Sequence, residues 1–570
     1  MNEPGPASEP SPSLSRRLAR RPRLVLALLC LALWLPGVLS LPPLDRDESR
    51  FAQSSRQMLE TGDLIDIRFG AVPRYKKPVG IYWMQAAATA IAGLGERGHI
   101  WTYRLPSLLG GIAAAWLALW VAGALAGEEA ALLAAALLAT TLLMAAEATI
   151  ATTDAVLLAC VLGAQGMLLR AYQAARAGGE SVSLKLALAG WASFGIGVLV
   201  KGPLVLAVFG LTGLGLSLWD REGRWLKGTR PLLGLGVVLA IVAPWAVAIA
   251  LRSHGHFYQQ SLGQDFATKL EGGQETHGAW PGYYLLLCSL SFWPAILFVL
   301  PALGAAWRQR AEPAIRFLLV WAGACWAMFE LVPTKLPHYI LPVYPALAIL
   351  AALWALAPRE PSSRWEPVLR WTAAVQFALG AGALVAATIV LPRLYGAGTL
   401  WWLIALGALG GVLALGALIA SLRGMNRLAA AFACAAALVF YPALTAGAAP
   451  RLERLWVSPR AAAAVASLSQ PDDPPPALAG YDEPSLVFLL GTQTLQTDGR
   501  GAAEAGAAQG GLALVEDGER GAFLAHLAEL ETDANEVGAV DGFNYSRGRP
   551  VHIRIYRVAP AGDEAAPPPE

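Results

Sequence analysis

The chain has 570 residues, 56% of them hydrophobic and only 15% charged, with a mean hydropathy of +0.48. Those proportions exclude an ordinary soluble protein. A net charge of +2 by itself points to no partner, and no nucleic acid is expected.

A Pro- and Ser-rich tail with arginines from Arg16 to Arg23 precedes the first apolar run, 24–41. No small-residue cleavage site clearly ends that run, so a retained signal anchor is expected, with residues 1–23 as a cytoplasmic tail. Further apolar runs, most near the ~20 residues a bilayer requires, cover 105–126, 130–150, 152–172, 184–200, 204–219, 231–251, 282–303, 314–332, 338–357, 368–391, 399–421 and 427–447. The five cysteines (Cys30, Cys160, Cys288, Cys325 and Cys434) all lie in such runs without paired spacing, which suggests neither a disulfide framework nor a thiolate metal site. The run 79–94 is short, and loop charge decides whether it spans. If it does not, Arg16 to Arg23, Arg170/Arg176/Lys185, Arg221/Arg224/Lys227/Arg230, Arg308/Arg310/Arg316, Arg359/Arg364/Arg370 and Arg423/Arg427 all fall on one side, the cytoplasmic one. The expected fold is an all-α polytopic membrane protein with about thirteen transmembrane helices over 24–447, the N-terminus inside and the C-terminus outside.

This parity places 42–104, Glu147 to Asp154, Lys201-Gly202-Pro203, 252–281 and Pro333 to Tyr339 on the external face. The densest of these polar stretches opens Asp45-Arg46-Asp47-Glu48-Ser49-Arg50 and closes Arg74-Tyr75-Lys76-Lys77-Pro78. Charges just beyond a membrane segment are costly unless they face water or a polar site. A solvated loop that merely sets topology is the plain alternative, but such a loop would put Lys77, Lys201 and Lys335 inside. Three acids near the start and two consecutive lysines near the end of one loop suit a site for an anionic substrate better.

Residues 448–570 differ in kind, with a Pro-rich linker, Pro471 to Pro476, and an acidic balance. Ser485 to Leu490 and Val551 to Tyr556 read as strands, and Gly521 to Leu530 as a helix. A small extracytoplasmic α/β domain is expected, with a disordered end from Ala559. It carries no nucleotide-binding glycine pattern and no metal constellation.

Asp47-Glu48-Ser49-Arg50-Phe51, Gly62-Asp63, Tyr75-Lys76-Lys77-Pro78 with Tyr82-Trp83, Thr153-Asp154, Lys201-Gly202-Pro203, Ala243-Pro244-Trp245 and Lys335-Leu336-Pro337-His338-Tyr339 follow in a characteristic order. Over residues 24 to 357 the chain resembles the polyprenyl-phosphate-sugar-dependent glycosyltransferases of the GT-C superfamily. The nearest group is the bacterial aminoarabinose transferases of lipid A, related to protein O-mannosyltransferases. The resemblance implies an inner-membrane enzyme that moves a sugar from a polyprenyl-phosphate donor to an envelope acceptor (a lipid A-like lipid, a glycan or a protein) on the external face. The family often has Glu-Lys-Pro where this chain has Lys76-Lys77-Pro78. A divalent metal is the one cofactor the resemblance leaves open, and here its glutamate is a lysine.

The residues fit that chemistry. A donor phosphate needs fixed positive charge, and Lys77 and Lys201 are its first candidates, with Arg50, Lys335 and Lys76 behind them. Snorkelling to the interface is the structural alternative for Lys201. Asp47 is the expected general base or acceptor-orienting group in a single inverting displacement. Glu48 reads as a cap or a partner for Arg50. Asp154 reads as a helix N-terminal acid that, on the family pattern, holds a site lysine such as Lys77. Tyr339 supports the site, and Pro78 sends Lys76 and Lys77 to opposite faces of an extended chain. His254, His256 and His277, near Asp265 and Glu275, read as solvent-facing rather than metal-binding. Tyr82, Trp83, Trp280, Tyr283 and Tyr284 read as an interfacial belt. A transporter or flippase of lipid-linked sugars is the alternative function. Ionisable residues at one face and the absence of a repeat weigh against it.

Overall fold

The computed structural model describes residues 21–179, 181–266, 279–357, 364–396 and 398–560. The expected tail up to residue 20, the end from residue 561, and Asp265, Glu275 and His277 fall outside what is described of side chains.

Among the described residues ten helices are long and apolar enough to cross a membrane. Glu128–Ala139 and Leu142–Thr149 meet at 63° and make an eleventh span if taken together. Two of the expected runs form shorter apolar helices, Leu204–Asp220 and Ile296–Arg308. At 1.5 Å per residue the first reaches about 25 Å, just short of the ~30 Å hydrocarbon core. The count of thirteen therefore holds only if these shorter helices also cross. Gly80–Ala92, at 13 residues, is not among the spans. The protein is a multi-pass membrane protein.

Burial separates the helices into two kinds. Asp154–Arg176 is buried over 89% of its apolar window and Pro337–Leu356 over 78%, whereas Pro231–Arg252 is buried over only 17%. The first two are the centre of the bundle and the last faces lipid. Both central helices begin at the same end of the molecule, where Asp154 and His338-Tyr339 lie. At the opposite end buried Asp220 takes Arg176, Arg316 and the Tyr172 hydroxyl, tying three helices together.

The helix Asp47–Thr61 is polar (DESRFAQSSRQMLET), yet Ser49, Gln53, Ser54, Ser55 and Gln57 are buried. It lies between the bundle and the C-terminal domain. Ser55 Oγ donates to Gln85 Oε1 at 2.8 Å on one side, and Gln53 Nε2 to Thr492 Oγ1 at 2.6 Å on the other. Asp47 and Glu48 in its first turn suit the positive end of the helix dipole.

The C-terminal domain is a five-stranded sheet in the order 495–497, 477–479, 511–516, 549–558, 534–544. The first three strands are parallel and the last two antiparallel to their neighbours. Val457–Leu468 and Pro484–Leu490 cover one face; Gly499–Gln509 and Asp517–Glu529 cover the other. The expected strand at 551–556 and helix at 521–530 are present. Ser485 to Leu490 is a helix, not a strand: a six-residue apolar run cannot be told from a buried helix by periodicity, and Pro484 favours a helical first turn. This helix docks on Asp47–Thr61, where Arg56 Nη1 donates to the Phe488 carbonyl at 2.9 Å and Phe488 packs edge-on to Tyr103 at 5.5 Å.

Candidate active site

A cavity of about 330 Å³ opens at the end of the bundle next to the C-terminal domain. Its walls come from five separate pieces of chain: Leu44 to Phe51, Arg74 to Lys77, Glu147 to Asp154, Lys201, and Thr334 to Tyr339.

The first wall is anchored by Glu48. Its carboxylate is buried against fully buried Arg104, with Nε–Oε1 2.7 Å and Nη2–Oε2 2.8 Å. It also accepts from the backbone N–H groups of Leu44 at 2.9 Å and Ala151 at 2.8 Å. The remaining Arg104 donors reach the carbonyls of Val38, Leu41 and Pro42 at 3.1, 2.7 and 2.9 Å. Asp47, the residue before, points the other way and its side chain is 59% exposed within the recess. Arg74 Nη2 stands 3.9 Å from Asp47 Oδ1, and its guanidinium lies over the Phe51 ring at 5.3 Å. Partial burial raises the Asp47 pKa, but the charges of Arg74, His338, Arg50 and Lys77 outweigh it, so the carboxyl is held below its ordinary value.

The second wall is a close helix contact. A Cβ on Gly80 would come within 2.7 Å of the Leu199 carbonyl, so only glycine lets the helix after Lys77-Pro78 lie against the end of Leu184–Lys201. That helix stops after Lys201 because Gly202 takes φ +68°. Lys201 Nζ donates to Asp154 Oδ1 at 2.6 Å with both side chains buried, and stands 5.4 Å from the Tyr339 ring centre. Glu147 Oε2 accepts from the Thr152 hydroxyl at 2.7 Å, and its Oε1 is 3.9 Å from His338 Nδ1.

This architecture has known counterparts. Residues 76–247 match the family described as dolichyl-phosphate-mannose-protein mannosyltransferase. The undecaprenyl phosphate-alpha-4-amino-4-deoxy-L-arabinose arabinosyl transferase of Edwardsiella ictaluri is 29% identical over 362 residues, 63% of this chain and 62% of that protein. The match thus spans less than two thirds of the relative's own length. The structure of ArnT from Cupriavidus metallidurans bound to undecaprenyl phosphate superposes with a TM-score of 0.73 at 20% identity, covering 93% of this chain and 97% of that one. The chain has the fold of that structure. The oligosaccharyltransferase of Archaeoglobus fulgidus is more distant, with a TM-score of 0.51 at 13% identity over 91% of this chain and 69% of its own.

Of the residues expected from sequence, the fold brings Asp47, Glu48, Arg50, Lys76, Lys77, Asp154, Lys201 and Tyr339 to the one cavity. Three expectations need correction. Lys335 does not line it: Nζ donates to the carbonyls of Phe329, Glu330 and Val332 at 3.1, 2.8 and 2.8 Å, all at the end of the helix Pro313–Leu331. Burial holds its pKa below the ordinary lysine value, only partly offset by Glu330. Glu48 pairs with Arg104, not Arg50, because its side chain turns inward. Asp154 does hold a site lysine, Lys201. Lys76 and Lys77 share the cavity because the chain turns at Tyr75-Lys76 instead of running extended. Tyr82 and Tyr284 are core residues at 0% exposure, while Trp280 is 88% exposed.

Arg104 and Arg74 were not singled out from sequence. A lone arginine at the start of an apolar run signals a buried partner, but nothing in the sequence says that the partner is Glu48. Among the described residues no three His, Cys, Asp or Glu side chains converge on a metal position. Asp154 and Glu147 are engaged with Lys201 and Thr152, and two lysines stand on the Arg74–Lys77 wall. This donor set does not fit a divalent metal.

Because Glu48 and Arg104 saturate each other, Glu48→Ala should lower stability by about 3–5 kcal/mol, read as a fall in melting temperature of the purified protein. Lys335→Ala should also lower the melting temperature, because three carbonyls at a helix end lose their donor.

Asp45 titrates separately. Burial outweighs the hydrogen bond from Ser485 and raises its pKa from 3.8 to about 6. A raised folded-state value stabilises the protein below the unfolded value and is lost as pH rises through about 6. The stability of the wild type relative to Asp45→Asn should therefore increase as pH falls from about 7.5 to about 5, a trend that melting curves at each pH will test.

Proposed function

We propose that the protein transfers a sugar from an undecaprenyl-phosphate-type donor to an envelope acceptor, with inversion at the anomeric carbon. The observation that carries this reading is the convergence of Asp47 with Arg50, Arg74, Lys77 and Lys201 on one cavity at the end of a membrane bundle. The names of the relatives support it, since they are undecaprenyl phosphate-dependent arabinosyl transferases. An aminoarabinose-like pentose is the first donor sugar to test and a lipid A-like lipid the first acceptor.

The polyprenyl chain lies along the lipid-facing surface of the bundle, and its phosphate enters the cavity beside Lys77 and Arg50. The acceptor oxygen, oriented by Asp47, attacks the anomeric carbon and the carbon–oxygen bond to phosphate breaks; a phosphate acceptor attacks already ionised, so no proton has to be taken up. The leaving polyprenyl phosphate takes the electron pair and gains a second negative charge. Fixed cations stabilise that growing charge without reorganising. Lys201 spends one of its three N–H donors on Asp154. Asp47, with its lowered pKa, is ionised at neutral pH but is a weak base. It therefore orients and polarises the acceptor, a role that suits an acidic acceptor such as a phosphate better than an alcohol. The position of the cavity at the bundle end, not midway along it, favours transfer over transport.

We place the protein in the bacterial cytoplasmic membrane, N-terminus inside, with the cavity and C-terminal domain on the periplasmic side. The basic loops at the other end of the bundle, around Arg221, Arg224 and Arg310, support this orientation.

Mass spectrometry of envelope lipids and glycans from cells with and without the protein tests the activity; a sugar-bearing species must vanish with it. Asp47→Asn should reduce transfer at least ~10²-fold while the protein still inserts. Lys77→Ala should abolish transfer and Lys77→Arg retain little, because a planar fork does not replace a compact point charge. For orientation, a cysteine at Gln493 should react with an impermeant thiol reagent in intact spheroplasts and one at Glu222 should not. The opposite labelling would move the cavity to the cytoplasmic side.

A further inference from the structure

Residues 45 and 46 are where the bundle and the C-terminal domain grip the same turn of chain. The Asp45 N–H donates to Tyr545 Oη at 2.7 Å. Its carboxylate accepts from the Ser485 hydroxyl and, at 3.5 Å, from the Ser546 hydroxyl. Arg46 Nη2 donates to the Ser546 carbonyl at 3.0 Å. Every one of these partners belongs to the C-terminal domain, and Arg46 itself lines the cavity.

The backbone at this turn is unusual. Arg46 has φ +64° and ψ −116°, and its side chain does not cap the helix that begins at Asp47. A residue with a Cβ keeps such a conformation only when its surroundings hold it there, at a cost of order 1–3 kcal/mol. The polar helix holds the far side, through Leu44 N–H on Glu48, the Ser49 hydroxyl donating to the Leu44 carbonyl at 2.5 Å and the Arg50 N–H donating to the Arg46 carbonyl at 3.1 Å. Among the hydrogen bonds described, the side chains of Asp45 and Arg46 reach only the C-terminal domain. The strained residue directly before Asp47 is thus held by its own helix through the backbone and by the C-terminal domain through its side chain.

We propose that the C-terminal domain is a positioning element of the transfer site: Ser485, Tyr545 and Ser546 clamp the Asp45–Arg46 turn and so set where Asp47 meets the acceptor. The inference rests on the reading of Asp47 as the acceptor-orienting acid. Of the donor-side cations Arg50 shares the helix of Asp47, whereas Lys77 and Lys201 are carried by other elements, so the clamp governs the acceptor half of the reaction more than donor binding. Displacement of a reacting group by about 1 Å costs up to ~10²-fold in rate. Loss of the clamp should therefore appear in kcat.

The test uses the full-length protein in liposomes, comparing wild type, Ser485→Ala/Tyr545→Phe, Asp47→Asn and the triple variant. Transfer is measured from undecaprenyl phosphate-4-amino-4-deoxy-L-arabinose to lipid A, and donor-side binding with undecaprenyl phosphate. The clamp variant should lose about ten- to a hundredfold in kcat, while undecaprenyl phosphate affinity falls by less than about threefold and the protein still melts cooperatively. In the Asp47→Asn background the same two substitutions should cost nothing more, because positioning acts only through the acid it positions. Deuterium uptake on the same samples without substrate should rise at 41–51 in the clamp variant. Unchanged uptake there, near-normal turnover of the clamp variant beside an inactive Asp47→Asn, or losses that add in the triple variant would each overturn the proposal. Near-normal turnover of Asp47→Asn would instead remove the acid assignment itself, and the clamp's role with it.

Discussion

The buried pair of Glu48 and Arg104 is the contact on which the site depends. Burying two full charges costs several kcal/mol each unless every remaining donor and acceptor is met. Here the five guanidinium N–H donors make five hydrogen bonds, two to Glu48 and three to the carbonyls of Val38, Leu41 and Pro42. Glu48 takes two more from Leu44 and Ala151. One ion pair thereby joins the end of the first helix, the start of the polar helix, the segment before Asp154 and the helix Ile100–Ala122. It fixes the position of the cavity walls before any substrate enters.

The acids around the cavity are chemically alike and do different work because their surroundings differ. Glu48 is spent on Arg104, and Asp154 on Lys201. Asp45 is spent on the C-terminal domain, and burial keeps its pKa high. Asp47 is left facing the cavity with cations around it, which hold its carboxyl below the ordinary value. The same division runs through the lysines. Lys335 closes a helix end, Lys201 is held by an acid, and Lys76 and Lys77 stand on one wall. Charge type alone assigns none of these roles; direction does.

The C-terminal domain has its own two-sided core, yet its helix Pro484–Leu490 packs on the polar helix that starts at Asp47. A polar helix of 15 residues is unstable on its own in water or at a membrane surface. Packed between bundle and domain it buries polar residues, with Ser49, Gln53 and Ser55 donating to the Leu44 carbonyl, Thr492 and Gln85, and so holds Asp47 in a fixed place. An appended domain is thus continuous with the site wall.

Much was legible in the sequence. Apolar runs of bilayer length determine the class, since backbone polar groups in lipid can be satisfied only within helices. The motifs containing Asp47, Lys77, Asp154, Lys201 and Tyr339 named the cavity's residues in advance, because polar groups at membrane ends are costly and so informative. What the sequence could not supply was pairing. Glu48 and Arg104 are 56 positions apart, Lys201 and Asp154 are 47 apart, and Asp45 and Tyr545 are 500 apart. Hydrogen bonds of that reach depend on which helix ends converge, and convergence is set by side-chain packing such as the Gly80–Leu199 contact. The fate of Lys335, the shared wall of Lys76 and Lys77, and the helical form of Ser485 to Leu490 were decided the same way. Each turns on a local backbone direction that neighbouring elements impose and that residue type alone leaves open.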